Sequence, residues 1–98
     1  MRIIARKTLQ AFWEAGHHAA KEPLRAWYAE VSRARWFQPD DVKRRFPHAS
    51  IIDNERIVFN IGGNKYRLVV KVWWNGQAVF IKFVGTHAEY DKLDVAQL

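Results

Sequence analysis

The chain contains no cysteine. That excludes a disulfide framework and thiolate metal sites, and it fits a reducing cytoplasm. No apolar run approaches the roughly 20 residues that cross a bilayer, so no membrane association is expected. The opening MRIIARKTLQ lacks the apolar core of a signal peptide. There is no internal repeat, low-complexity tract or linker. Acid is in deficit: ten Asp and Glu stand against sixteen Lys and Arg, a formal net charge of +6. The histidines are scattered without a zinc-site spacing, so no metal or other cofactor is expected. What remains is one basic domain over residues 1–98. Chains of this size bury only roughly 60–68% of the surface that their unfolded form exposes. Stability is thin, and the charge favours an acidic partner, nucleic acid being the commonest.

The β-branched start predicts a strand over residues 2–6. Thr8 is a candidate N-cap for a helix carrying Leu9, Phe12 and Trp13 on one face and closed by Gly16. A second helix is expected from Pro23, with Leu24, Trp27, Tyr28, Val31 and Ala34 on its apolar side. QPDDVKRRFP predicts a short third helix opened by Pro39 and stopped by Phe46-Pro47. Asp40 and Asp41 sit at the positive end of its dipole and Lys43, Arg44 and Arg45 at the negative end. The basic triplet reads as a solvated helix end, Trp13, Trp27 and Trp36 as core or interface, and His17, His18 and His48 as surface or loop residues.

From Arg56 the period becomes two. Asn75-Gly76 predicts a type I′ hairpin turn, which would place Val72 opposite Val79, Val69 opposite Lys82 and Arg67 opposite Val84. An earlier hairpin around Gly63-Asn64 places Asn60 opposite Arg67 and Phe59 opposite Leu68. One face of this meander is then wholly apolar, running from Ile57 and Phe59 through Tyr66, Leu68 and Val70 to Ile81 and Phe83. The other holds Arg56, Val58, Asn60, Arg67, Val69, Lys71, Trp73, Phe80, Lys82 and Val84. A wet sheet face is ordinarily polar. Here every ionised group on it is positive, and Trp73 and Phe80 offer platforms for unpaired bases. Arg67 and Lys71 are therefore expected on an open surface that carries single-stranded nucleic acid.

Thr86-x-x-Glu89 is a capping box, so a helix should begin at His87. A helix start disfavours imidazolium, and a neutral imidazole can accept a proton. Asp91, four residues on, can orient the ring, and Tyr90 follows one turn later. His87, Tyr90, Arg67 and a lysine are expected to converge on one phosphate.

VFNIGGNKYRLVVKV followed by GTHAEYDKLDV, after a strand and two helices, resembles the HigB toxins of bacterial type II toxin–antitoxin modules, within the RelE/ParE superfamily. The resemblance runs nearly end to end. It implies an α+β, RelE-like fold, with an N-terminal strand and two helices packed on an antiparallel sheet and a short C-terminal helix. It also implies mRNA cleavage, commonly on translating 70S ribosomes, in the cytoplasm. Neutralisation by a HigA-type antitoxin is implied too, whose helix-turn-helix domain provides the only link to operator DNA. Tyr66-Arg67 coincides with the Tyr-Arg pair of the RelE strand, Tyr90 with its C-terminal tyrosine, and His87 with a RelE arginine. The two lysines of the preceding RelE strand are replaced here by Val58 and Asn60, so Lys71 and Lys82 are the expected substitutes.

The mechanism expected is metal-independent attack of a 2′-OH on the adjacent phosphorus. His87 would act as base, Arg67 and Lys71 would stabilise charge, and Tyr90 would orient the nucleotide. Asn60, Lys65, Lys82 and Trp73 would bind RNA. Two alternatives stand beside it: a ParE-like toxin that inhibits a protein such as gyrase, and a non-catalytic nucleic-acid-binding module.

Overall fold

The computed structural model describes residues 1–98. Strand β1 (Arg2–Ile4) leads directly into helix α1 (Arg6–Glu14). The strand is shorter than the reading of residues 2–6, and α1 starts earlier than a Thr8 cap would allow. Ala5 occupies the cap position with no side-chain hydrogen bond, and the Thr8 amide donates to the Ala5 carbonyl at 3.1 Å. Thr8 therefore lies inside the first turn. Gly16, at φ 103°, ends the segment as expected.

A 3-10 turn (His18–Ala20) feeds helix α2 (Lys21–Ser32). Pro23 falls in its first turn, where no intrahelical N–H is required, rather than at its start. Leu24, Trp27 and Val31 are buried. Helix α3 (Pro39–Arg45) has the expected bounds, with Asp40 and Asp41 in its first turn and Lys43, Arg44 and Arg45 in its last.

Five strands form one sheet: β1, β2 (Ser50–Ile51), β3 (Arg56–Ile61), β4 (Tyr66–Trp73) and β5 (Ala78–Thr86), in the order β1-β5-β4-β3-β2. The β2 pair has too few residues to show a period. The sheet is antiparallel except that β1 runs parallel to β5, with Ile3 beside Val79. Helices α1 and α2 contribute Leu9, Trp13, Leu24, Trp27 and Val31 to a core against Ile57, Phe59, Leu68, Val70 and Val72. The Trp27 and Phe59 rings meet edge to face at 5.4 Å, and Phe46 and Phe59 at 5.0 Å. The three tryptophans expected inside are buried.

The β3–β4 register is the expected one, with Asn60 opposite Arg67 and Phe59 opposite Leu68. Gly62 and Gly63, at φ 63° and 69°, make the reversal between them. The β4–β5 register begins as expected, with Val72 opposite Val79, and then slips between Val69 and Val70. Val70 pairs with Ile81 but Val69 pairs with Phe83, which leaves Lys82 as the extra residue of a β-bulge. The pairs Val69–Lys82 and Arg67–Val84 are thus replaced by Val69–Phe83 and Arg67–Gly85. Phe83 moves to the face of Arg67, and Val84 packs against the core. The turn differs as well. The reversal spans residues 74–77 and only Gln77, at φ 52°, is left-handed, so no type I′ turn forms at Asn75-Gly76. Gly76 is needed for a different reason: a Cβ there would stand 2.2 Å from the Trp73 ring.

A last short helix, α4 (His87–Asp91), follows β5 directly, and a 3-10 turn (Val95–Gln97) comes near the C-terminus. No helix is long and apolar enough to cross a membrane.

Candidate active site

The register of β4 and β5 decides what surrounds Arg67. Its cross-strand partner Gly85 is the last residue before the Thr86 cap and α4. Both bonds of the capping box form: the Thr86 amide donates to Glu89 Oε1 at 2.8 Å, and the Glu89 amide donates to Thr86 Oγ1 at 3.2 Å. The Thr86 amide, followed by the threonine hydroxyl, holds the Glu89 carboxyl below its usual range. The His87 amide donates to the Lys65 carbonyl at 3.3 Å. That bond ties the start of α4 to the β3–β4 loop.

Helix α4 packs on β4 and β5, and the Tyr90 ring lies over the Arg67 guanidinium, 5.9 Å from centroid to Cζ. Arg67 is consequently 9% exposed, the one charged residue among the buried set. Arg67 is therefore not on an open surface as expected: the convergence with Tyr90 that the sequence suggests covers the guanidinium instead of leaving it exposed. Its Nη1 donates to the carbonyls of Asn64 and Tyr66, both at 3.3 Å. None of the ion pairs of the molecule includes it. Its Nε and Nη2 have no protein acceptor, yet neither is sealed from solvent. A largely desolvated guanidinium is costly without a counter-charge. Here one side of its donor fork, at Nε and Nη2, has no protein partner.

His87 is exposed, with Nδ1 3.3 Å from Asp91 Oδ2 one turn later. Asp91 is thus the carboxylate nearest the ring, and neither ring nitrogen makes a hydrogen bond within the protein. Lys65 is exposed in the adjoining loop, and Asn60, opposite Arg67, donates to the His48 carbonyl at 3.4 Å. Asn60 also borders a cleft of about 300 Å³ lined by His48, Phe46 and Gly63. Arg67, Tyr90, His87, Lys65 and Asn60 thus gather at one end of the sheet.

The other expected residues lie elsewhere. Lys71 is four residues along β4 from Arg67, roughly 13 Å at strand rise. It stands opposite Arg56 and pairs with Glu55 at 3.6 Å. Trp73 is farther still, 57% exposed. Lys82, the bulged residue, is exposed and has no carboxylate partner. At the centre of the face Val58 and Val69 are buried, so the cationic surface is divided rather than continuous.

His17 lies in the half-exposed loop between α1 and the 3-10 turn, in keeping with its expected surface or loop placement. It stacks on Phe12 at 4.2 Å and meets Tyr66 edge-on at 6.0 Å, and its charge adds a smaller lowering to Glu89. Phe83 and Gly85 are the neighbours of Arg67 that alternation does not reveal. The available signal was Gly85 itself, since a glycine inside a strand marks a bulge or a close approach. No group of three or more His, Asp or Glu residues is arranged to hold a metal ion.

Comparison with known proteins bears on the same segment. The family model described as HigB toxin, RelE-like toxic component of a toxin–antitoxin system, matches residues 20–93. The chain is 32% identical over 96 residues to the mRNA interferase toxin HigB of Escherichia coli K12, covering 93% of this chain and 88% of that one. It is equally similar to the mRNA interferase HigB of Shigella flexneri, over the same shares. The mRNA interferase HigB of Escherichia coli O6:H1 is 28% identical over 72 residues, covering 71% of this chain and 70% of the relative.

Proposed function

The chain belongs to the HigB family of RelE-like toxins, and on that footing we propose that it is an mRNA endoribonuclease acting by 2′-OH attack. The observation that carries this reading is the buried Arg67 guanidinium, which has no carboxylate, lies beneath Tyr90 and stands next to the strand end that launches His87. A structural arginine at that depth would be paired. One that waits for a phosphate would not.

His87 Nε2 takes the proton from the 2′-OH, while Asp91 at Nδ1 fixes the ring. The 2′-oxygen bonds to the adjacent phosphorus and the P–O5′ bond breaks, giving a 2′,3′-cyclic phosphate and a 5′-hydroxyl. Arg67 binds a non-bridging oxygen as the phosphorane gains charge. Tyr90 orients the nucleotide and gives its hydroxyl proton to the leaving O5′, and solvent carries the proton from His87 back to the phenolate. Asn60 and Lys65 hold neighbouring phosphates at the same end of the sheet. Lys82, free of any acid, is better placed than Lys71 to add positive charge. Lys71 and Trp73 serve the RNA farther along the face. General acid–base help is worth about 10²–10⁴-fold and electrostatic stabilisation about 10²–10³-fold. These factors multiply only when the substrate is bent in line. That is the role we assign to the 70S ribosome, in the cytoplasm. The antitoxin partner is of the HigA type and carries the helix-turn-helix that binds operator DNA. No metal takes part in the steps proposed.

The test is induced expression of the wild type and of His87→Ala and Arg67→Ala, with message fragmentation and growth followed together. Cleavage with 5′-hydroxyl ends and growth arrest are expected from the wild type, and both should be lost in the variants. Arrest with DNA breaks and intact message would overturn the nuclease reading in favour of a protein-directed toxin.

A further inference from the structure

We infer that Phe83, laid on Gly85, is a stacking platform for the nucleobase next to the reacting phosphate. This rests on the nuclease reading above and adds to it a base subsite. The bulge at Lys82 is the cause. Without it Phe83 would face the helices, and with it the ring comes to the face of Val69 and Arg67. The ring then folds over Gly85: a Cβ on that residue would stand 2.4 Å from Phe83 Cζ, 3.0 Å from Cε2 and 3.0 Å from Glu89 Oε1. Only glycine permits the ring to lie on the strand there. Gly85 is the direct partner of Arg67, and opposed residues hold their Cβ positions about 5 Å apart. The ring therefore lies over the residue that pairs directly with Arg67, on the face that carries the guanidinium.

The ring is not sealed off. Phe83 is only partly buried, lies outside the main core and makes no ring–ring contact with any other aromatic, Tyr90 included. A phenyl group offers no hydrogen bond, so the platform accepts any base and favours the larger purine surface.

The alternative role for Phe83 is packing over Val69, and a leucine retains that. The probe is a short RNA with a 2′-deoxy group at the scissile nucleotide and 2-aminopurine walked through the adjacent positions, measured free and in programmed 70S ribosomes. Wild type should quench the fluorescence at one position beside the scissile bond. Phe83→Leu should lose that quench, bind about fivefold to a hundredfold more weakly and melt as wild type does. Phe83→Tyr should restore quench and affinity. Gly85→Ala, which keeps the ring but lifts it off the strand, should behave like Phe83→Leu and serves if that variant does not fold, with Glu89→Gln as the control for the Glu89 contact that the added methyl also makes. Undiminished quench and affinity in Phe83→Leu, or in Gly85→Ala in its place, overturn the platform, as does a wild type that quenches at no position. The two readings fail separately. Loss of cleavage in His87→Ala and Arg67→Ala with a neutral Phe83→Leu removes the platform alone. Quench that depends on Phe83 in a protein that never cuts all-ribose RNA removes the nuclease and leaves the base site.

Discussion

Arg67 and Gly85 stand opposite one another across β4 and β5, one residue out of the register that holds nearer the turn, because Lys82 is bulged out of the ladder. This offset places the end of β5, the Thr86 cap and His87 where Tyr90 reaches back over the guanidinium. Three expectations concern that neighbourhood, and a fourth concerns the lysines farther along the face.

The buried Arg67 should weaken the fold while serving the reaction. Replacing it with methionine removes a desolvated cation that has no counter-ion and keeps its packing volume. Arg67→Met should be as stable as wild type or about 1 kcal/mol more so, and cleavage should fall about 100-fold or more. Urea unfolding and a cleavage assay on the same preparation check both. A loss of more than about 2 kcal/mol, the size expected when a needed buried partner is removed, would show that Arg67 is structural.

The capping box should hold α4 in place. Thr86→Ala should cost about 1 kcal/mol of stability and lower cleavage, since both His87 and Tyr90 ride on α4. The acid side carries its own sign. The folded Glu89 carboxyl sits below its usual range, chiefly through the Thr86 amide, so it favours the folded state fully above its ordinary pKa. That contribution fades as pH falls through the lowered folded value. Glu89→Gln should therefore flatten part of the acid limb of a stability–pH curve and leave neutral-pH differences as the cap's own. An unchanged acid limb contradicts the assignment.

His87 and Asp91 should differ in degree. His87→Ala removes the base and should lower the cleavage rate by about 10²–10⁴-fold. Asp91→Asn keeps a polar group near Nδ1 and should cost roughly tenfold through poorer ring orientation. Single-turnover rates at saturating message make the comparison, and equal losses from both changes would contradict the division of roles.

The lysines should separate by salt. Lys82 is unpaired, so Lys82→Ala should lower the slope of log binding constant against log salt by about 0.7, the value of one single-strand phosphate contact. Lys71 is held by Glu55 at 3.6 Å. Glu55→Gln should change stability by less than about 0.5 kcal/mol yet tighten RNA binding and steepen its salt dependence. Filter binding across a salt series reads both, and a Lys82→Ala slope equal to wild type would remove Lys82 from the RNA path.

Much of this protein was legible locally. Helix α3 announces itself by Pro39, its acidic first turn and its basic last turn, and the Thr86–Glu89 box marks the start of α4. The Asn60–Arg67 register follows from the loop that Gly62 and Gly63 make, and the apolar face of β3 and β4 follows from alternation. In each case the chemistry that decides the structure lies within a few residues of its effect. The parallel seat of β1, the early start of α1, the bulge at Lys82 and the burial of Arg67 were decided by tertiary structure. VFIKFV alternates equally well in either register, so only packing against the helices on one side and α4 on the other selects which side Phe83 takes. A guanidinium in a strand says nothing about its depth until a segment some twenty residues later in the chain folds back over it.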